Sequence, residues 1–353
     1  MKARLAAVLA LVLGLGVLAA PVPAVAAPVP AVAAPVPAVA APVPAVAAAL
    51  DVGRALERVA HASDGRVRLG IIGRSNEGRP LRLATVGTGP VRLLLITQQH
   101  GDEPLGTPAA IRALWALGVP ETAWHRALRK KVTVDIVVQA NPDGAARNQR
   151  WNHDLRATGE YSQPGVGYDI NRFHNPLTPI ADNPVPESRA VLRWWQRTRP
   201  RIVVDYHMQG RYLQPDGRET TASVLWPTSP LVSAAAVTAG KQLAVRSSAF
   251  PGAYVTRYPG GDYEGIARNA YGILGSASLL VELSDLPAEQ TELQIRTAFL
   301  SMIATVTGAA DGSLWRVDPA LADRIPARGP SLPDAARSDD CLAPTETIDS
   351  CGS

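Results

Sequence analysis

The chain has 353 residues, 46% hydrophobic and 19% charged, which is enough apolar sequence for a large core and argues against disorder along its length. Its formal charge of +4 owes two units to Lys2 and Arg4, the only charges before Asp51. Without them 33 basic residues face 31 acidic ones, a balance that argues against a nucleic-acid binder.

The chain opens with a basic Met1–Arg4, an apolar run from Leu5 to Ala20 and Ala-x-Ala sites such as Ala24-Val25-Ala26. This pattern predicts a signal peptide over 1–26 and a secreted, extracellular or cell-envelope location. The run is short for a membrane span, and an uncleaved anchor is the alternative. With no cysteine near the cleavage region, no lipid attachment point is expected. APVPAVA then recurs to residue 47, giving an extended Ala/Pro/Val linker over 27–47, either a spacer or a functionless repeat expansion.

Folded sequence is expected from 48 to 310, with room before the first strand for one short helix and no large pro-segment. Leu50, Val52, Leu56 and Val59 have helical spacing. Strands are predicted at "RVRLGIIGRS" and "RPLRLATVG", separated by a turn at Asn76-Glu77-Gly78, then at Leu93–Thr97, within 130–144 where a strand runs into a turn, and at 201–207 and 276–285. Helices are predicted at 107–117, 187–200 and about 287–307. The alternation predicts an α/β fold: a single catalytic domain whose central mixed, mostly parallel twisted sheet carries helices on both faces. Residues 311–353, rich in Pro, Ala and Asp, read as a tail on the surface or partly disordered. In it Cys341 and Cys351 form a small disulfide loop or remain two free thiols, and neither is expected to be catalytic.

Three strand ends carry residues able to hold a metal: His100 and Glu103 in "HGDE", His207 in "DYH", and Glu282 in "LVELSD". Two imidazoles and one carboxylate make an open zinc site, and a further carboxylate that stays off the metal can serve as base. Glu282 is the candidate base. His61, His125, His153 and His174 read as structural, Asp102 as a surface or rim charge, and Trp194-Trp195 as packing.

With "GRSNEGRPL" (73–81), "HGDE" (100–103), "NPDG" (141–144), "RWN" (150–152), "DINR" (169–172), "DYH" (205–207) and "LVELSD" (280–285) in this order, the chain resembles the zinc metallocarboxypeptidases of the carboxypeptidase A-like, M14-type family over roughly 50–308. The resemblance implies one Zn²⁺ held by His100, Glu103 and His207, with Asp169 accepting a hydrogen bond from the far nitrogen of His100. It implies Glu282 as general base and then acid, and Arg150 as the oxyanion stabiliser, with Arg147 as its rival in the same loop. Asn171 and Arg172 would grip the substrate's terminal carboxylate. Tyr258 would cover the substrate, with Tyr254 and Tyr263 as competitors. Phe173-His174 depart from the usual continuation of the clamp, so the side-chain preference is open; Asp262 meets a basic side chain or is structural.

The expected function is hydrolysis of C-terminal peptide bonds by a monomer without nucleic-acid or stable membrane partners. A zinc amidohydrolase acting on cell-wall peptides or acylated amino acids is the second reading. A non-enzymatic peptide-binding protein is the third, and it needs a missing ligand or base, which this chain does not show.

Overall fold

The computed structural model describes residues 51–258 and 260–332. The predicted signal peptide, the repeats, Cys341 and Cys351 lie outside the described residues. Asp51 starts α1 (Val52–Ala62) by accepting a hydrogen bond from the Arg54 N–H at 3.0 Å, and Val52, Leu56 and Val59 form its buried stripe. β1 (Val67–Arg74) and β2 (Pro80–Gly87) pair as an antiparallel hairpin. β3 (Val91–Thr97), α2 (Gly106–Gly118), α3 (Ala123–Lys131) and β4 (Val132–Val138) follow, then α4 (Pro142–Arg147) and a small hairpin of β5 (Ser162–Gln163) with β6 (Gly167–Tyr168). α5 (Pro186–Thr198) opens on a proline, which needs no N–H partner there. β7 (Ile202–Gln209), β8 (Ala222–Leu225), α6 (Ala234–Ser248), β9 (Val255–Arg257), α7 (Ala267–Ile273), β10 (Ala277–Ser284) and α8 (Thr291–Asp311) complete the regular elements.

Eight strands form one sheet in the order β1-β2-β4-β3-β7-β10-β8-β9. The four central strands, β4, β3, β7 and β10, run parallel. Antiparallel pairing is confined to the flanks, at β1–β2, β2–β4 and β10–β8, while β9 lies parallel to β8. The predicted mixed sheet is present, and its parallel part is the centre.

Alternation along the central strands sorts the core into two layers. Leu93, Leu95, Ile202, Val204, Leu279 and Val281 pack under α1, α2, α6 and α8. Leu94, Ile96 and Val203 pack under α5 and α7, with Val191, Trp195 and Tyr271. Helices therefore cover both faces, as buried parallel strands require. Trp194 and Trp195 fulfil the packing expectation: their indole N–H groups donate to Asp135 at 3.2 Å and Ser276 at 3.0 Å.

The structure extends the fold past the boundary expected at 310. Leu314 and Ile325 are buried in the larger core, and residues 326–332 hydrogen-bond to Arg257 and to the 211–213 loop. Two isolated apolar anchors in Pro/Ala/Asp-rich sequence make no periodic pattern, so composition alone read them as tail. α3, α6, α7, β8 and β9 were likewise not anticipated; each is short or, like α6, alanine-rich without a clear apolar stripe.

One buried carboxyl braces the loop that approaches the sheet's carboxyl edge. Glu187, in the first turn of α5, accepts from the Asn152 amide at 2.9 Å, and Asn152 also accepts the Tyr168 N–H at 2.8 Å. Burial raises the Glu187 pKa to about 7 from its ordinary 4.5. Between those values the folded state binds more protons than the unfolded chain, so stability falls as pH rises from about 4.5 to 7 and stays lower above it. Glu187→Gln is expected to flatten this decline and to raise stability at pH 8 by up to ~3 kcal/mol. Melting temperatures of both proteins between pH 4.5 and 8 measure it, and parallel pH profiles would refute it.

Candidate metal centre and cleft

The site grows out of strand register. In the parallel pair β7–β10, His207 stands opposite Glu282, and both fall on the α5/α7 side of the sheet. β3 lies on the other side of β7. Beyond its last residue the backbone takes a positive φ of 56° at Gln98 and delivers His100 to the same edge. The adjacent Gly101 is required by contact: a Cβ there would lie 2.0 Å from the Gly144 carbonyl carbon, where α4 packs against the turn. Asp143 of "NPDG" in turn clasps the β1–β2 turn, accepting from Ser75 Oγ and Arg79 Nη1, each at 2.7 Å. Strands β3 and β7 are parallel neighbours whose onward connections diverge, the position where α/β sheets open a crevice.

His100, Glu103 and His207 are buried, with one ligand atom from each within 4.8 Å of the others, and they form the one such cluster among the described residues. The Nδ1 atoms of the two imidazoles face each other at 3.1 Å, and Glu103 Oε1 and Oε2 lie 2.7 and 2.9 Å from them. Each imidazole turns its other nitrogen to a carboxylate. His100 Nε2 is 3.0 Å from Asp169 and His207 Nε2 is 2.8 Å from Asp205. Converging lone pairs from two oriented imidazoles and a carboxylate fit a single zinc ion.

Asp169 does more than face His100. It accepts from Arg150 Nη2 at 2.8 Å and from the Asn171 N–H at 2.9 Å, and it lies 3.7 Å from Arg172. Burial pushes its carboxyl up, but Arg150, Arg172 and His100 hold it well below its ordinary range. Arg150 Nη1 is 3.2 Å from His100 Nδ1 and 3.6 Å from Glu103, beside the metal cluster. The rival Arg147 points away, with both terminal nitrogens on Glu77 at the surface.

The cleft at this cluster, about 380 Å³ counting the space open to solvent, includes Arg150, Asn171, Arg172, Tyr258 and Glu282 in its wall. Glu282 Oε1 accepts from the Tyr258 hydroxyl at 3.4 Å, while Oε2 is buried with no hydrogen-bond partner. Burial raises the Glu282 pKa, the direction a proton-accepting carboxyl near neutral pH needs. Tyr258 is thus the tyrosine at the site; Tyr254 lies 39% exposed and Tyr263 stacks on Tyr161. Asn171 is committed on both sides, its Oδ1 accepting the Ala267 N–H at 2.9 Å and its Nδ2 lying 3.3 Å from His207.

Two features escaped the sequence reading. Asp205 sits two residues before His207, so strand alternation puts both on one face, a signal present in "DYH". Behind it, Gln99 donates to Asp205 and contacts His174 Nε2 at 2.6 Å, and the other ring nitrogen of His174 is 2.8 Å from the Tyr271 hydroxyl. Burial lowers the His174 pKa to about 4, so it is neutral at physiological pH, in keeping with its structural reading. The second feature is Arg268, which shares the cleft wall and carried no motif.

A model of the zinc carboxypeptidase family matches residues 52–285. No curated protein sequence matches the chain. Among solved structures, a metallo-carboxypeptidase from Burkholderia cenocepacia superposes with a TM-score of 0.54 at 20% identity, over 74% of this chain and 68% of that one. Carboxypeptidase A from Helicoverpa armigera gives 0.55 at 17% identity, over 73% and 72%. Bovine thrombin-activatable fibrinolysis inhibitor, solved with a tick carboxypeptidase inhibitor, gives 0.56 at 16%, over 74% and 96%. At these identities the structures show a shared fold.

Elemental analysis of the purified protein is expected to find one zinc per chain, lost in His207→Ala and Glu103→Gln. Asp205→Asn is expected to weaken zinc affinity about 10- to 100-fold by releasing the ring of His207. Stoichiometry unchanged in the first two variants would place the metal elsewhere.

Proposed function

The chain belongs to the zinc carboxypeptidase family, and on that premise we propose that it is an exported hydrolase removing the C-terminal residue of peptides. Export rests on the basic start, apolar run and Ala-x-Ala sites of residues 1–26. The activity rests above all on one observation: a metal-holding cluster, an unpartnered buried carboxylate oxygen and two arginines converge in one cleft.

His100, Glu103 and His207 would hold the ion, which when bound polarises the scissile carbonyl and acidifies a water. Glu282 takes the proton from that water as its oxygen bonds to the carbonyl carbon. It then hands the proton to the nitrogen as the C–N bond breaks, so amine and carboxylic acid leave with atoms balanced. Its raised pKa suits both roles. Arg150, its guanidinium anchored by Asp169 and its side chain 21% exposed to the cleft, meets the charge that builds on the carbonyl oxygen. Arg172 binds the terminal carboxylate, and Asn171 shapes the same wall. The Tyr258 hydroxyl lies 3.4 Å from the Glu282 carboxylate, which supports its role as the tyrosine that covers the substrate.

The test uses blocked dipeptides as pairs, one with a free C-terminal carboxylate and one amidated. Chelator-sensitive cleavage of the free acid alone is expected. Equal cleavage of both would assign the chain to zinc amidohydrolases acting on cell-wall peptides or acylated amino acids. Glu282→Gln is expected to lower kcat about 10²- to 10⁴-fold with zinc content unchanged. Arg150→Ala is expected to cost about 10²- to 10³-fold in kcat.

A further inference from the structure

Arg268 is the charged side chain of the cleft that this chemistry leaves without a task. It lies at the start of α7 and is only 1% exposed, one of the largest fully buried side chains of the protein. Its guanidinium donates to the Trp226 carbonyl at 3.0 Å, Thr228 Oγ1 at 3.1 Å, Asn269 Oδ1 at 2.9 Å and the Gly261 carbonyl. All four acceptors are neutral. No carboxylate among the described residues forms an ion pair with it, and Glu282 and Asp262 act on it only through space. Arg150, across the same cleft, has Asp169.

A buried guanidinium without a counter-ion is expensive to maintain. Burial lowers the Arg268 pKa to about 10, so the group is still a cation at neutral pH. The backbone is shaped to admit it. Gly260 has φ +63°, and a Cβ there would come within 2.6 Å of Arg268 Nη2 and of Leu225. The cleft wall that includes Arg268 also carries the apolar side chains of Met208, Leu225, Ile266 and Leu280. The cleft thus offers two cations besides Arg150: Arg172 for a terminal carboxylate, and Arg268 in a wall that is partly apolar.

We propose that Arg268 binds the side-chain carboxylate of the substrate's last residue, so that the preferred substrates are peptides ending in glutamate or aspartate. The apolar wall fits the methylenes of such a side chain, and the buried cation gives its charge the partner that water no longer supplies. The proposal rests on the carboxypeptidase reading for its orientation of the substrate. It supplies a side-chain preference, which the sequence left open.

The zinc-loaded full chain is assayed on matched blocked dipeptides ending in Glu, Gln, Leu and Lys. A kcat/KM about 10- to 100-fold higher for Glu than for its uncharged isostere Gln is expected. In Arg268→Gln the Glu-to-Gln ratio should fall toward one, and in Arg268→Lys part of it should return. Calorimetry of the wild-type protein with N-acetylglutamate and N-acetylglutamine reads the same preference without turnover and without a variant that must fold. Equal rates and equal affinities for the acid and its amide would overturn the proposal and leave Arg268 as a strut between the 226–228 and 261 segments. If no dipeptide is cleaved while N-acetylglutamate still binds about tenfold more tightly or better, the carboxypeptidase reading fails and the carboxylate site stands.

Discussion

The site depends on one buried carboxylate. Asp169 fixes the ring of His100, anchors the guanidinium of Arg150, starts the turn that carries Asn171 and faces Arg172. These groups come from three separate stretches of chain, and their mutual distances are set because they share one small anion. Three cationic or proton-bearing neighbours keep that anion charged despite its burial. Neutralising it would release His100, Arg150 and the turn of Asn171 and Arg172 together, which is why effects of such a change would not resolve into separate contributions.

Much of this was legible because a strand that ends in chemistry looks different from one that merely ends. Leu93–Ile96, Ile202–Val204 and Leu279–Val281 are apolar runs followed within a few residues by His100, His207 and Glu282, and a central parallel strand has few other reasons to stop on such side chains. The motif order then pointed to Asp169, Arg150, Asn171 and Arg172; the structure sets the last three in the wall of one cleft, with Asp169 bonded to His100 and Arg150 behind it. Asp205 was legible in principle through alternation. Arg268 was not, since it sits on a seven-residue helix with no periodic pattern, and its importance lies in what does not pair with it. Absence of a partner is a property of three dimensions.

The same distinction applies to charge. The overall balance is close to neutral once Lys2 and Arg4 are set aside, yet Arg150, Arg172 and Arg268 face one cleft whose wall carries two carboxylates, Glu103 and Glu282. With a divalent ion added, the recess favours anions strongly, and low local dielectric amplifies the preference. Composition averages such a field away.

The segment that follows α8 has a role that its composition hides. Arg328 lies between two aromatic rings, 3.9 Å from the centroids of both Tyr212 and Tyr258, and residues 326–332 hydrogen-bond to Arg257 and the 211–213 loop. The wall behind Tyr258 is therefore made from residues that leave the ribosome some 70 positions later than the tyrosine itself. A nascent chain acquires the residues of the metal-holding cluster and Glu282 before this backing arrives. The order of synthesis thus separates the capacity to bind the ion from the completed cleft, and an enzyme that cleaves peptides is assembled with its substrate wall last.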